Sequence, residues 1–276
     1  MNEPQRRRRG RPRGSDAKPE QTTVQALDRG LGILRTLAAT EGLSLTALAE
    51  ASGQSPATVY RVLATLEAHG FVETDPARQL WFIGAEAFRI GSAFIGRSNL
   101  VERGRPVLRD LMVLTGETAN LAIADREEVV FVSQVETHEP IRAFFRPGTR
   151  SAFHASGIGK AMMAHYPPAR AAAILKARGM ARFTERTFTE PEQLAEELRA
   201  IRARGWAMDD EEHTAGMRCI AAPIFDVNGE PTGGLSISGP AGRVTRERAA
   251  AFGPAVREAA DRVTAAIGGH RSQAKA

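Results

Sequence analysis

Cysteine occurs once in 276 residues, at Cys219. A single thiol excludes an intramolecular disulfide and a cysteine-rich zinc site, and neither a metal nor a cofactor is expected. No apolar run approaches the roughly 18 residues that a membrane span requires. The N-terminus also lacks the apolar stretch of a secretory signal. The expectation is a cytoplasmic protein with no membrane partner. Acidic side chains are scarce at one end. Residues 1–20 hold seven basic groups (Arg6, Arg7, Arg8, Arg9, Arg11, Arg13 and Lys18) against three acidic ones (Glu3, Asp16 and Glu20). That balance of +4 accounts for most of the formal net charge of +5. The basic character belongs to a tail, and a charge block of this kind seeks an anion.

The same 20 residues lack apolar periodicity and are rich in Arg, Gly and Pro, so residues 1–20 read as a disordered basic tail. Within it, Arg9-Gly10-Arg11-Pro12-Arg13-Gly14 resembles an AT-hook core. Extended Arg-Pro segments fit a narrow minor groove, where the negative potential is strongest. A solvated tail that attracts DNA without specificity is the plainer alternative.

Residues 21–84 read as a winged helix-turn-helix. Val24, Leu27, Leu31, Leu34 and Leu37 recur at helical spacing over about 22–39. Ser44 can cap a short second helix, and Gly53 supplies a turn. Ser55-Pro56 then opens a third helix with a capping hydroxyl and a proline at the first helical position. This helix runs to about His69. Short strands on either side of Asp75-Pro76-Ala77-Arg78 form a hairpin wing. On the third helix Val59, Val62, Leu63 and Leu66 make an apolar face. Ser55, Ala57, Thr58, Tyr60 and Arg61 lie on the other side, as a DNA-reading helix requires. Arg61 can pair with guanine.

Residues 85–97, with Phe88, Ile90 and Phe94, read as a linker helix. Residues 98–270 follow as an α+β domain. It begins with a helix at about 98–115 carrying Leu100, Val107, Leu108, Leu111 and Leu114. Strands are expected at 118–124, 129–136 and 141–145, and helices at 157–165, 168–178 and 191–204. Further strands at 206–209, 218–225 and 232–238 precede a closing helix at 245–267.

Four ordered segments carry a family resemblance. The first is Ser52-Gly53-Gln54-Ser55-Pro56-Ala57-Thr58-Val59-Tyr60-Arg61-Val62-Leu63. The second is His154-Ala155-Ser156-Gly157-Ile158-Gly159-Lys160-Ala161. Asp209-Asp210-Glu211-Glu212-His213, with the run from Gly216 through Cys219 to Ile224, is the third. Leu235-Ser236-Ile237-Ser238-Gly239-Pro240 is the fourth. Together they resemble the isocitrate lyase regulator (IclR) family of transcriptional regulators, and most closely its members that sense glyoxylate or pyruvate. The resemblance implies a winged helix, a linking helix and a C-terminal effector domain with a GAF- or PAS-like sheet. It also implies a homodimer, or a dimer of dimers, on double-stranded promoter DNA. By motif matching, the contacts to a small 2-oxo acid would fall on Gly157, Ile158, Asp209, Cys219, Ser236 and Ser238.

Those residues make chemical sense around an anion. Ser156-Gly157-Ile158-Gly159 precedes a helix expected to begin near Lys160, where free N–H groups favour negative charge. Ser236 and Ser238 stand two apart on a strand, so both hydroxyls face one side. Cys219 adds a small polarisable wall. Asp209 is the difficult member, because an ionised carboxylate repels an anionic ligand. It must be protonated, bonded to backbone N–H groups, or accept from a hydrated aldehyde. Phe144, Phe145 and Phe153 are candidates for narrowing the pocket against aromatic acids. An enzyme reading would set Cys219, His154, His213 and Asp209 as nucleophile, base and orienter. No motif fixes them together, and an enzyme is not expected.

Overall fold

The computed structural model describes residues 23–96 and 99–271. The tail, with Arg9, Arg11 and Arg13, lies outside the described residues. The chain divides into two compact units between Ala93 and Phe94.

The first unit contains helices α1 (Gln25–Ala38), α2 (Leu45–Ser52) and α3 (Pro56–Ala68), then strands β1 (Val72–Asp75) and β2 (Leu80–Ile83). Ser44 Oγ accepts from Ala47 N at 3.2 Å and caps α2. Ser55 Oγ caps α3 by accepting from Thr58 N at 3.3 Å, ahead of Pro56 at the first position. The antiparallel β1–β2 hairpin pairs Val72 with Ile83. Its turn is held by Asp75 Oδ1, which accepts from the amides of Ala77 and Arg78. Ile33, Leu37, Leu48, Val59, Leu63 and Trp81 form the core.

The phase of α1 differs from the sequence reading. Gly30, Ile33 and Leu37 are buried, whereas Val24, Leu27 and Leu31 are exposed. Leu27, Leu31 and Leu34 instead wall an open groove shared with Val62 and Leu66 of α3. Helical spacing groups residues on one face, but it cannot say whether α2 and the wing cover that face.

Helix α4 (Ala85–Gly96) contains the division point, and its Phe88 and Ile90 are exposed. The second unit continues with α5 (Asn99–Thr115), β3 (Thr118–Asp125), β4 (Glu128–Val135), β5 (Arg150–Ala152) and α6 (Gly157–Met163). Then come α7 (Pro168–Arg178), α8 (Pro191–Arg204), β6 (Ala207–Asp210), β7 (Met217–Phe225), β8 (Pro231–Pro240) and α9 (Arg246–Ala266). The strands form one six-stranded sheet in the order β5-β4-β3-β8-β7-β6, and every neighbouring pair is antiparallel.

Helices cover both faces of the sheet. Leu121, Ile220, Leu235 and Ile237 pack on one side against Leu108 and Leu111 of α5 and Val256 and Val263 of α9. Leu114, expected on this α5 face, is exposed. On the other side Ala122, Ala207 and Ala221 meet Ile158, Ala161 and Met162 of α6. Small residues on this second face let α6 approach closely.

The strand expected at 141–145 does not form. The edge of β4 is already taken by β5 and by the backbone bonds Phe131 N to Thr149 O and Gly148 N to Phe131 O. Residues 141–145 therefore have no ladder to join. Ile141 and Phe144 are exposed, and Phe145 turns inward to stack on Phe131 with ring centroids 4.5 Å apart.

Candidate functional site

In the first unit α3 is the helix expected to read DNA, and its candidate residues can be placed. Ser55, Ala57, Tyr60 and Arg61 are exposed, and Thr58 is half-buried. Tyr60 stands 57% exposed, while Val59 and Leu63 on the opposite side are buried. The hydroxyls of Ser55 and Thr58 hydrogen-bond to each other at 2.9 Å, so both are held at the helix start. Arg61 and Thr58 flank the open α1–α3 groove. An exposed helix start, one guanidinium and a neighbouring hairpin are what a DNA-reading surface needs.

In the second unit, register brings the site residues together. Across the sheet Asp209 pairs with Cys219, Cys219 with Ser238, and Ser238 with Thr118. Facing residues of antiparallel strands point to the same side, which here is the α6 side. The next row contains Ala207, Ala221, Ser236, Asn120 and Gln134.

A cavity of about 70 Å³ opens on the first row, lined by Phe131, Phe145, Gly157, Asp209, Cys219 and Ser238 among others. Gly157, Asp209, Cys219 and Ser238 thus share one chamber. Two expected members do not line it. Ile158 is wholly buried in the apolar layer under α6. Ser236 is wholly buried and lies under the chamber, where it accepts a hydrogen bond from Asn120. Of the aromatic candidates, Phe145 lines the cavity, Phe153 is core and Phe144 is exposed.

Helix α6 begins at Gly157, where the expected helix at 157–165 begins and three residues ahead of the start near Lys160 assumed for the anion site. Ser156 caps it, its Oγ accepting from Gly159 N at 3.3 Å. The first-turn amides of Gly157 and Ile158 have no intrahelical carbonyl to bond. Glycine is required here by close approach: a Cβ on Gly157 would meet Cys219 Sγ at 3.1 Å, and one on Gly159 would meet Phe153 O at 2.5 Å.

The chamber's charge balance rests on residues the sequence reading passed over. Lys160 is fully buried and ion-pairs with Glu212, whose side chain is only 4% exposed. Its Nζ also donates to Met208 O at 2.6 Å. Glu212 Oε2 is buried with no hydrogen-bond partner among the described residues. Asp209 Oδ1 accepts from Glu212 N at 2.7 Å, so the carboxylate is backbone-bonded.

Burial nevertheless pushes the Asp209 carboxyl up to about 6, against the opposing pull of Lys160. Burial likewise raises Glu212 to about 7. The Cys219 thiol is pushed up to about 11, again chiefly by burial, so it is a neutral thiol near pH 7 and a poor nucleophile. His154 Nε2 is engaged with Ala181 O at 3.0 Å, and His213 stacks on Phe183. Neither ring hydrogen-bonds to Cys219 or Asp209 among the described residues. The nucleophile–base–orienter arrangement is not assembled. Among the described residues no cluster of three or more His, Cys, Asp or Glu is placed to hold a metal ion. No described helix is long and apolar enough to cross a membrane.

A winged helix-turn-helix carried with an α+β unit that holds a small chamber lined by Asp209, Cys219 and Ser238 defines a ligand-responsive, DNA-binding regulator. Comparison with known proteins agrees. Residues 26–76 match the IclR helix-turn-helix domain, and residues 92–265 match the bacterial transcriptional regulator IclR C-terminal domain. The HTH-type transcriptional regulator BhcR of Paracoccus denitrificans is 54% identical over 257 residues, covering 92% of each chain. The transcriptional repressor IclR of Escherichia coli is 39% identical over 267 residues, covering 96% of this chain and 97% of the repressor. The crystal structure of Thermotoga maritima IclR superposes with a TM-score of 0.75 at 31% identity, covering 88% of this chain and 99% of that one. The chain belongs to the IclR family of bacterial transcriptional regulators.

Proposed function

We propose that this regulator binds promoter DNA through α3, its wing and its basic tail, and that a small 2-oxo acid in the chamber controls its promoter affinity. Glyoxylate is the first choice of effector and pyruvate the second. The observation that carries this reading is the chamber itself. Its volume of about 70 Å³ is far below the roughly 300 Å³ at which drug-sized pockets begin. The stacked rings of Phe131 and Phe145 form one wall of it, and a volume this small favours an acid of a few heavy atoms over an aromatic one.

In this reading the Gly157 amide and the Ser238 hydroxyl hold the acid's oxygens, Ile158 and Ser236 back the site from behind, Cys219 walls the carbon skeleton, and Asp209 faces the carbonyl or its hydrate. On DNA, Ser55, Ala57, Thr58, Tyr60 and Arg61 meet the major groove, and Arg9, Arg11 and Arg13 reach the minor groove. The unit boundaries at 21–84, 85–97 and 98–270 assign α4 as the linker. A homodimer, or a dimer of dimers, would match paired half-sites by its own symmetry.

Size also limits affinity. With about five heavy atoms at a ceiling of about −1.5 kcal/mol each, glyoxylate binds no tighter than a Kd of several micromolar. Such a sensor reports metabolite pools. The test is a fluorescence anisotropy titration of promoter DNA with the full-length protein in the presence of glyoxylate, pyruvate or an aromatic acid. Glyoxylate is expected to change promoter affinity at millimolar concentration or below. A flat response to it across that range removes it as the effector.

A further inference from the structure

At the floor of the chamber lies a polar chain of four side chains, in which Ser236 and Ser238 are joined by Asn120 and Gln134, two residues that no motif picked out. Asn120 of β3 is fully buried between Ala119 and Leu121. Its Nδ2 donates to Ser238 Oγ at 3.1 Å and to Ser236 Oγ at 3.4 Å. Its Oδ1 accepts from Gln134 Nε2 of β4 at 2.8 Å. The four residues span three neighbouring strands, β4, β3 and β8, on the α6 side of the sheet.

The direction of these bonds has a chemical consequence. A carboxamide has two donors on its nitrogen and only acceptors on its oxygen. Because Gln134 donates to Oδ1, the Asn120 nitrogen is turned toward the serines, and both hydroxyls are acceptors of its N–H groups. A serine hydroxyl that accepts in this way still holds its own proton. Ser238 is the serine that lines the chamber, so its O–H is left for acceptors on that side: the Cys219 sulfur, to which it hydrogen-bonds in the free protein, and a ligand oxygen that takes the proton's place there. Turned the other way, Asn120 would take that proton, and the chamber would present a lone pair instead.

We infer that Asn120 is a specificity-determining residue that, with its orientation set by Gln134, makes Ser238 a hydrogen-bond donor and so selects effectors presenting a carboxylate or carbonyl oxygen at that point. Asn120 acts through Ser238 and does not line the cavity. This deepens the proposed effector reading and rests on it for the ligand class, but the relay itself is a property of the free protein.

Two measurements on the full-length chain test it. The first is calorimetric titration of wild type, Asn120→Asp and Gln134→Met with glyoxylate, pyruvate and the neutral amide glyoxylamide. In Asn120→Asp the donor to Ser238 is lost once the carboxyl is ionised, and its oxygens then accept from the Ser238 hydroxyl. Loss of the Gln134 donor frees Asn120 to turn over. Both variants are expected to lose at least tenfold in affinity for the acids and to lower the acid-to-amide preference, with effector-free promoter affinity unchanged. A general packing defect would weaken acid and amide alike and leave that ratio in place. Variants that keep the wild-type ratio overturn the inference.

The second needs no ligand and stands even if none of the three compounds binds. With 15N-asparagine labelling, the Asn120 side-chain NH2 signal is expected to be protected from solvent exchange in wild type. It should lose that protection in Gln134→Met, which alters only the half-buried end of the relay. An Asn120 amide that exchanges freely in wild type, or is indifferent to Gln134, also overturns it. If wild-type protein ignores both acids while the amide stays protected, the effector proposal fails and the relay stands.

Discussion

Asp209 carries a charge that its surroundings only partly support. Withdrawal from water raises its carboxyl to about 6, while Lys160 from α6 and the Glu212 and His213 backbone amides oppose the rise and the neighbouring Asp210 adds to it. Around it stand the neutral Cys219 of β7, Glu212 raised to about 7, and Arg218, whose charge is engaged by Asp210 and Glu211. A 2-oxo acid, with a carboxyl pKa below about 4, is an anion throughout this range. As pH falls toward 6 Asp209 gains a proton, the repulsion between two carboxylates is relieved, and effector affinity should rise. Full coupling to one proton gives up to about tenfold per pH unit above 6. Calorimetric titration with glyoxylate at pH 6, 7 and 8 measures this, and Asp209→Asn should flatten the profile. A wild-type affinity independent of pH would place Asp209 outside the ligand's field. The sequence flagged Asp209 as awkward from charge alone. It could not rank the remedies, because the Glu212 amide that bonds it arrives only through the tight turn after β6.

At the scale of elements, α6 is fastened to the β6–β7 connection by the buried Lys160–Glu212 pair. That connection is also held from outside. Thr184 and Thr187 donate to Glu211 O and Glu212 O at 2.7 and 2.6 Å, and Phe183 stacks on His213 with centroids 4.7 Å apart. Removing one partner of a buried pair strands the other charge at a cost of about 3–5 kcal/mol. Lys160→Met is therefore expected to lower the Tm by roughly 10 °C. Replacing both, Lys160→Met with Glu212→Gln, should recover most of that loss. A thermal melt series decides it, and a single variant as stable as wild type would show that the pair carries no stabilisation.

Helix boundaries were legible where punctuation is strong. Pro168 and Gly179 bracket α7, and Pro191 and Gly205 bracket α8. The failures have different causes. The run Ile141-Arg142-Ala143-Phe144-Phe145 has strand-like composition, but pairing is decided by which edge remains open, a non-local fact. The polarity of Lys160 and Asn120 was visible, yet their partners lie 52 and up to 118 positions away in sequence. Only the folded sheet brings those partners within bonding distance.

For the whole molecule, the charge of the sequence is uneven, and the proposed DNA contacts are divided in the same way. On the proposed reading the seven basic residues among the first 20 contribute counterion release, while α3 contributes reading of base edges. Deleting residues 2–19 should weaken binding to any duplex and flatten the dependence of log K on log salt, by roughly 0.9 for each phosphate no longer neutralised. Its preference for promoter over unrelated duplex should change little. Anisotropy titrations at several salt concentrations report both quantities. Equal slopes for the full-length and shortened proteins would remove the tail from the interface.

The stacked rings of Phe131 and Phe145 make one side of the chamber a rigid partition. Attraction alone separates homologous acids poorly, since each additional methylene is worth only about 1–3 kcal/mol. A fixed partition works by refusal instead. On the proposed reading longer and bulkier acids find no lodging there, so the promoter would answer to a small acid and not to its larger homologues.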